Sequence, residues 1–448
     1  MDGTASATPG QKAALIIFTI LLSFRIVRIL GNAIGYSVYR PAKLLAEPTF
    51  NGGDCSVILP VTHPTDPDLE KCVFSILENF PNQLYVVAVG ERYRDYLDRR
   101  LGHLRYAFPA TQINIGAVHK NNKRRQISHG INQVSTRITV IVDDRVFWPK
   151  GFLRSALAPF EKGLVAGITV PRRVRKPSSG DAWDSFWACL ASFYYAHLDH
   201  ENQCVNALDS SAMLGAATGL YRSYIIMQKS FLEEFEGERC FFGRYGPLKK
   251  DEHQFFNQYL LQHSDLLSVQ STADTTVEVP LGSHSEFIAD CQRWIRSTWR
   301  LNTSMLCFKE CWRFPWAVYA TWLSGLFSFT LLFDVIVIVV FLFTQLFAER
   351  WAHVFVVLGL IMFMKLIHTL PPWLRMVRMP FSLATMLLCS LFLLPAQYLL
   401  CLLKIKTLLT YWYAERAECE KTDVEQGRGN KEPSWIWGDV QLPHLGRR

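Results

Sequence analysis

The sequence predicts an α/β domain built on a mostly parallel, doubly wound sheet and joined to an α-helical transmembrane bundle. Three observations carry that expectation. Apolar, β-branched runs alternate with amphipathic helical stretches through the central part of the chain. One of them, Ile138-Thr139-Val140-Ile141-Val142, ends abruptly in Asp143-Asp144-Arg145, as a strand buried on both faces does where it meets solvent. Four apolar stretches, residues 13–36, 316–347, 351–370 and 380–403, come near or exceed the ~20 residues that cross a bilayer.

A short tail, 1–12, precedes the first membrane segment at 13–36, which Arg25 and Arg28 interrupt. No small-residue cleavage site precedes these arginines, so the segment reads as an uncleaved anchor whose arginines snorkel to the cytosolic face. With Arg40 and Lys43, they place the following domain, 48–284, in the cytosol by the positive-inside rule. In that domain Cys55–Val61 reads as a strand, Asp66–Asn79 as a helix with Leu69, Val73, Ile76 and Leu77 on one face, and Leu84–Val89 as a strand. Tyr93–Leu104 then reads as a helix, Gln112–Val118 as a strand and 123–135 as a helix, ahead of the strand that ends at Asp143.

A further strand, Leu164–Val170, leads into Arg172-Arg173-Val174-Arg175-Lys176, readable as a solvated loop or as a phosphate or acceptor contact. A helix is expected over Asp251–Leu261. Ser285–Asn302 is amphipathic, with Phe287, Ile288, Trp294, Ile295, Trp299 and Leu301, and the segment 285–315 suits the membrane interface. Three more crossings follow, then a polar tail, 404–448, whose side of the membrane the flanking charges leave open. Within the crossings, Asp334 and Lys365 fall at different depths. Asp334 is read as facing a path through the bundle and Lys365 as a snorkelling flank, so the two are not expected to pair.

The 448 residues carry a net charge of +8, which suits anionic lipid and a nucleotide diphosphate, although a positive-inside bias accounts for most of it. Eleven cysteines without a CxxC pair read as reduced, structural thiols. No P-loop appears, which argues against a transporter with a nucleotide-binding domain. No nucleic-acid partner is expected.

By residue chemistry, Asp143 and Asp144 could hold a hard divalent cation beside substrate phosphates, or simply cap a helix or close a turn. Their place in a series of signals narrows the choice. Val57-Ile58-Leu59-Pro60-Val61 with Asp66-Pro67 comes first, then Asn122-Lys123-Arg124, then Val142-Asp143-Asp144-Arg145-Val146-Phe147-Trp148-Pro149. Leu214-Gly215 with Tyr221-Arg222, Lys250-Asp251-Glu252 and the tract Asp290–Asn302 with Arg293-Trp294 follow. In that order, over roughly residues 50–415, the chain resembles the membrane-embedded family 2 glycosyltransferases. Among these are the hyaluronan, chitin and cellulose synthases, and the nearest in pattern is the fungal type 2 or capsule-synthase-like group.

The resemblance implies a glycosyltransferase-A, Rossmann-like cytosolic domain, a UDP-sugar donor, a glycan or lipid acceptor, a membrane-lipid environment and inversion at the anomeric carbon. It implies Lys123, Asp143, Asp144, Arg145, Arg293 and Trp294 at the nucleotide sugar, and Asp143 and Asp144 on a divalent metal, Mg2+ or Mn2+. Glu252 or Asp251 would serve as general base. Physical chemistry agrees, since a base must reach the hydroxyl it deprotonates and a leaving diphosphate needs fixed positive charge.

Four positions depart from the family pattern. Arg145 stands at the second aspartate of Asp-x-Asp, Glu252 at the base aspartate behind Lys250 and Asp251, and Asp290 at the glutamine of Gln-x-x-Arg-Trp. The late Trp-Gly-Thr-Arg motif survives only as Trp437-Gly438-Asp439. Arg145 either abolishes catalysis or replaces the ion with a permanent guanidinium charge. Arg293 and Trp294 could also serve only as interfacial anchors. The sequence therefore leaves three readings: a polysaccharide-building transferase that exports its product, a single-transfer enzyme acting on a lipid or small metabolite, and a degenerate relative that scaffolds or regulates a synthase.

Overall fold

The computed structural model describes residues 8–175, 181–212, 217–239, 247–248, 251–263, 266–327, 329–376 and 381–427. A thirty-residue helix, α1 (Pro9–Val38), leads into nine strands: β1 (Cys55–Pro60), β2 (Gln83–Val89), β3 (Gln112–Val118), β4 (Ile138–Val142), β5 (Val165–Thr169), β6 (Arg172–Val174), β7 (Thr218–Arg222), β8 (Leu266–Val269) and β9 (Val277–Val279). Seven form one sheet in the order β3-β2-β1-β4-β7-β5-β8, and β6 pairs with β9. All neighbours in the large sheet run parallel except β7, which is antiparallel to both β4 and β5. The expected mostly parallel sheet is therefore present, with one reversed strand.

Helices α2 (Leu69–Leu77), α3 (Glu91–Ala107) and α4 (Lys123–Ile131) link the first four strands. After α5 (Phe152–Ala156) and α6 (Ala182–Asp209) come α7 (Ser223–Ile226), α8 (Lys229–Gly237) and α9 (Glu252–Gln262). Strand β1 is buried along its whole length because its faces serve two cores. Val57 and Leu59 join Leu84, Val86, Val140 and Val142 under α2 and α3. Ile58 and Ile141 face the other way, toward Ile127 of α4, Phe231 of α8 and Phe256 of α9. The strand order reverses between β1 and β4, and ligands of such sheets bind beyond the carboxyl ends at that point.

One expectation for this domain is corrected, and one unassigned stretch is filled. The basic run is partly a strand, β6, rather than a loop, with Arg172 over the rings of Tyr195 and Trp294, Arg173 paired with Glu278 and Arg175 over Phe147. Residues 182–209, unassigned from the sequence, form the long helix α6, which packs on the long apolar helices described below. Nine of the cysteines are described, all as free thiols.

The remaining helices are α10 (His284–Cys307), α11 (Pro315–Ala317), α12 (Ser324–Phe327), α13 (Thr330–Leu342), α14 (Gln345–Glu349), α15 (His353–Met376) and α16 (Leu383–Gly427). Three helices are long and apolar enough to cross a membrane: Pro9–Val38, His353–Leu374 and Leu383–Tyr411. The straight crossing expected over 316–347 is instead a pair, Pro315–Leu326 and Thr330–Leu342, meeting at 90°, so a fourth span exists only if the pair counts as one. Close packing on α10 accompanies the bend, since Asn302 of α10 is buried and donates to Thr321 O, and a Cβ at Gly325 would stand 2.1 Å from Asn302 Nδ2.

The charges inside these helices also behave differently from expectation. Arg25 does not snorkel; it pairs with Asp334, whose other oxygen lies 2.5 Å from Lys365 Nζ. Tyr398 Oη accepts from Lys365 at 2.7 Å and donates to Asp334 at 3.0 Å. Arg28 likewise reaches Glu201 of α6. Asp334 and Lys365 are thus a buried pair rather than a path-lining acid and a flank, because a lone charge among apolar helices is costly and a partner offsets much of that cost.

Candidate active site

The segment Asn122-Lys123-Arg124-Arg125-Gln126 builds one wall of the site, and each residue has a separate task. Asn122 caps α4, its side chain accepting from Arg124 N at 2.9 Å and Arg125 N at 3.3 Å. Gln126 Nε2 donates to Val61 O at 3.0 Å and Val87 O at 2.7 Å, tying the helix to the ends of β1 and β2. Arg124 is fully buried between the rings of Phe235 and Phe255 and donates to Phe235 O at 2.8 Å and Glu238 at 2.5 Å. With its neighbours fixed, Lys123 projects from the first turn toward the carboxyl end of β4.

There Lys123 Nζ lies 2.6 Å from Asp143 Oδ1 and pairs with Glu252, the first residue of α9. Glu252 enters its helix from Asp251, which holds a left-handed backbone (φ +63°) and pairs at 2.5 Å with Arg300 of α10. Asp251 is therefore held by Arg300 of α10, while Glu252 is the carboxylate of the two that pairs with Lys123. Burial opposes charge on Asp251, but Arg300, Ser297 and Arg293 hold it below the usual carboxylate range. For Glu252, burial is likewise outweighed, by Lys123 and then His253, and its carboxyl is held at about 2. Lys123, flanked by Asp143 and Glu252, is raised above the usual lysine range although burial works against its charge.

His253 was not singled out by sequence reasoning. Its Nδ1 meets Tyr221 Oη of β7 at 3.1 Å, while its Nε2, 3.9 Å from Glu252 Oε1, is buried without a hydrogen-bond partner. Burial pushes it below the usual imidazole range despite Glu252 and Asp143 nearby. A histidine directly after the base position was the available signal.

The metal-binding pair expected at Asp143 and Asp144 is not what comes together. Neighbouring residues at a strand end diverge, and Asp144 Oδ2 accepts from Thr62 N, Thr62 Oγ1 and His63 N at 2.7, 2.8 and 3.2 Å, closing the loop after β1. Asp143, Glu252 and His253 instead place one ligand atom each within 4.8 Å of one another. This donor set, with its unpartnered imidazole nitrogen, fits a divalent cation of the Mn2+ type, in competition with the ammonium of Lys123. Arg145 lies outside this group and pairs with Asp66 at 3.1 Å.

Arg293 and Trp294 sit on α10. Asp290 pairs with Arg293 at 2.8 Å; burial opposes Arg293's charge, but Asp290, Asp251 and Glu252 raise it. Trp294 stacks on Tyr194 of α6, with ring centroids 6.1 Å apart and planes at 6°. Leu214-Gly215, Lys176, Lys250 and Trp437-Gly438-Asp439 lie outside the described residues.

Residues 55–251 match the family described as glycosyltransferase like family 2. Two curated relatives, each described as a type 2 glycosyltransferase, come from Pyricularia oryzae and Gibberella zeae. The first is 27% identical over 324 residues, 72% of this chain and 65% of that protein. The second is 28% identical over 323 residues, 71% and 60% respectively, so the chain spans less than two thirds of the length of either. Among solved structures, a mannosyltransferase from Pyrobaculum calidifontis in complex with GDP-Man and Mn2+ superposes with a TM-score of 0.53 at 10% identity. It covers 91% of this chain and 99% of its own, a likeness of fold.

Proposed function

On the premise that the chain carries a glycosyltransferase family 2 domain on a glycosyltransferase-A-like fold, we propose that it transfers a sugar from a UDP-sugar to a growing glycan or another acceptor, with inversion. The observation that carries this reading is Lys123 bridging Asp143 and Glu252 at the carboxyl ends of the strands. In this state the ammonium suppresses Glu252 as a base, because its carboxyl is held at about 2. An arriving diphosphate competes for Lys123. As the lysine turns to phosphate, Glu252 loses its counter-ion and becomes basic enough to accept the acceptor's hydroxyl proton.

The acceptor oxygen then bonds to the anomeric carbon from the face opposite the diphosphate, and the carbon–diphosphate bond breaks with its electron pair on the departing nucleotide. Lys123 and Arg293 stabilise that charge, Arg293 after exchanging Asp290 for phosphate. Trp294, with Tyr194 behind it, offers a flat surface for the acceptor sugar. A divalent ion, Mg2+ or Mn2+, when bound would neutralise the leaving diphosphate, and the residues to hold it are Asp143 and His253, with Glu252 left free to act as the base. The domain faces the cytosol, and a product long enough would leave through the membrane helices.

Membranes containing the full chain, incubated with labelled nucleotide sugars with and without chelator, test the proposal. Turnover with at least one donor is expected, and none with any donor overturns it. The capture of Asp144 by the loop after β1 favours a second, metal-independent form of the same reaction, which predicts turnover unchanged by chelator.

A further inference from the structure

A second set of ionisable side chains gathers where α6 meets α1, α15 and α16, and the transfer reaction uses none of it. Arg28 Nη2 lies 2.5 Å from Glu201 Oε1, and the Nε2 atoms of His197 and His368 stand 3.7 and 3.9 Å from the same oxygen. Lys404 is within electrostatic reach of both Arg28 and Glu201. An arginine, a lysine and two imidazoles thus gather about one carboxylate. The side chains of Arg28, Glu201, His197 and His368 are 24%, 25%, 25% and 24% exposed, so the cluster is open at one side.

Two atoms in it lack what they need. Arg28 Nε and His197 Nδ1 are buried and have no hydrogen-bond partner. A buried donor without an acceptor is costly, and an arriving anion with several oxygens would remove that cost. The helices that carry the cluster also expose apolar side chains: Val27 and Leu30 on α1, Leu366 on α15 and Leu402 on α16 are 49%, 57%, 62% and 51% exposed.

We propose that this cluster binds the phosphate group of an anionic lipid, whose acyl chains lie against the apolar faces of α1, α15 and α16. The guanidinium of Arg28 matches phosphate geometry, Lys404 adds a point charge, and the imidazoles complete the donor set. Glu201 holds the anion's place in the lipid-free state. His197, Glu201 and His368 also place ligand atoms within 4.8 Å of one another, the pattern of a metal site. A divalent cation there would stand beside Arg28 and Lys404, with Arg28 already on the carboxylate, so the charge favours an anion.

The test uses the full chain in detergent and in phosphatidylcholine vesicles with or without phosphatidic acid, reading lipid retention by native mass spectrometry and the melting temperature. Phosphatidic acid should be retained in preference to phosphatidylcholine and should raise the melting temperature. Arg28→Gln and Lys404→Gln should each remove that preference. Glu201→Gln should strengthen it, and this arm reads the site even where Arg28→Gln fails to fold. Equal retention of both lipids, or weakening by Glu201→Gln, marks a fixed ion pair and overturns the proposal. Protection by inorganic phosphate equal to that by phosphatidic acid overturns the lipid source. A rise in melting temperature with Zn2+ that His197→Ala abolishes replaces the anion by a cation.

Discussion

The site at the end of β4 and the charge cluster around Asp334 use the same groups in opposite proportions. At the first, one cation, Lys123, serves two carboxylates, and Asp143 remains 36% exposed at the side chain. Around Asp334, two cations and a tyrosine serve one carboxylate that is only 6% exposed. A lysine shared by two acids leaves negative charge unbalanced beside solvent and can be drawn away by a phosphate. An acid held by Arg25, Lys365 and Tyr398 from three other helices has nothing left to exchange. Exposure and the count of counter-ions therefore distinguish the two clusters where distance does not, since the ion pairs in both are short.

Substitutions on the two sides should fail differently. Glu252→Gln should cut turnover by ~10²–10⁴-fold with the protein still folded, as loss of a general base does; sugar transfer per folded molecule is the measurement. Asp334→Asn should do the reverse, costing about 3–5 kcal/mol of stability by leaving buried cations uncompensated, with turnover of the folded fraction preserved. Melting curves in detergent beside transfer assays decide between these patterns, and equal loss of activity in both variants would break the comparison.

A smaller effect follows from acid. Glu252 is depressed to about 2 from an ordinary 4.5, so its contribution to stability is full above the ordinary value and is lost as pH falls toward about 2. Glu252→Gln should remove that part of the acid sensitivity, read from melting temperature against pH. The smallest change is expected from Asp290→Gln, which releases Arg293 from a half-buried i,i+3 pair worth on the order of 1 kcal/mol. The KM for the donor should fall by no more than about fivefold, with kcat unmoved.

Much of this was legible in the sequence, for physical reasons that differ by residue. The β4 run could be read because burial on both faces demands an unbroken β-branched stretch, and its end at Asp143 follows from the return to solvent. Lys123, Asp143 and Glu252 could be grouped by the order of their motifs. Asp144 could not be assigned, because sequence adjacency hides the divergence of successive side chains at a strand end. Strand direction leaves no trace in composition, so the reversal of β7, which brings Tyr221 to His253, was invisible. Arg25 and Asp334 each announced the need for a partner, but 309 residues separate them and nothing local named the match.

Helix α1 makes its contacts with parts of the chain that are synthesised long after it. Tyr39, just past its end, donates to Val269 O, Arg28 reaches Glu201, and Arg25 reaches Asp334, whose own neutralisation waits for Lys365 and Tyr398. During translation α1 must therefore hold Arg28 unmatched until 173 further residues have been made, and Arg25 until 309 have. That delay sets an order of assembly in which α1 is made before the elements that lock it, and an interrupted chain would leave those arginines exposed.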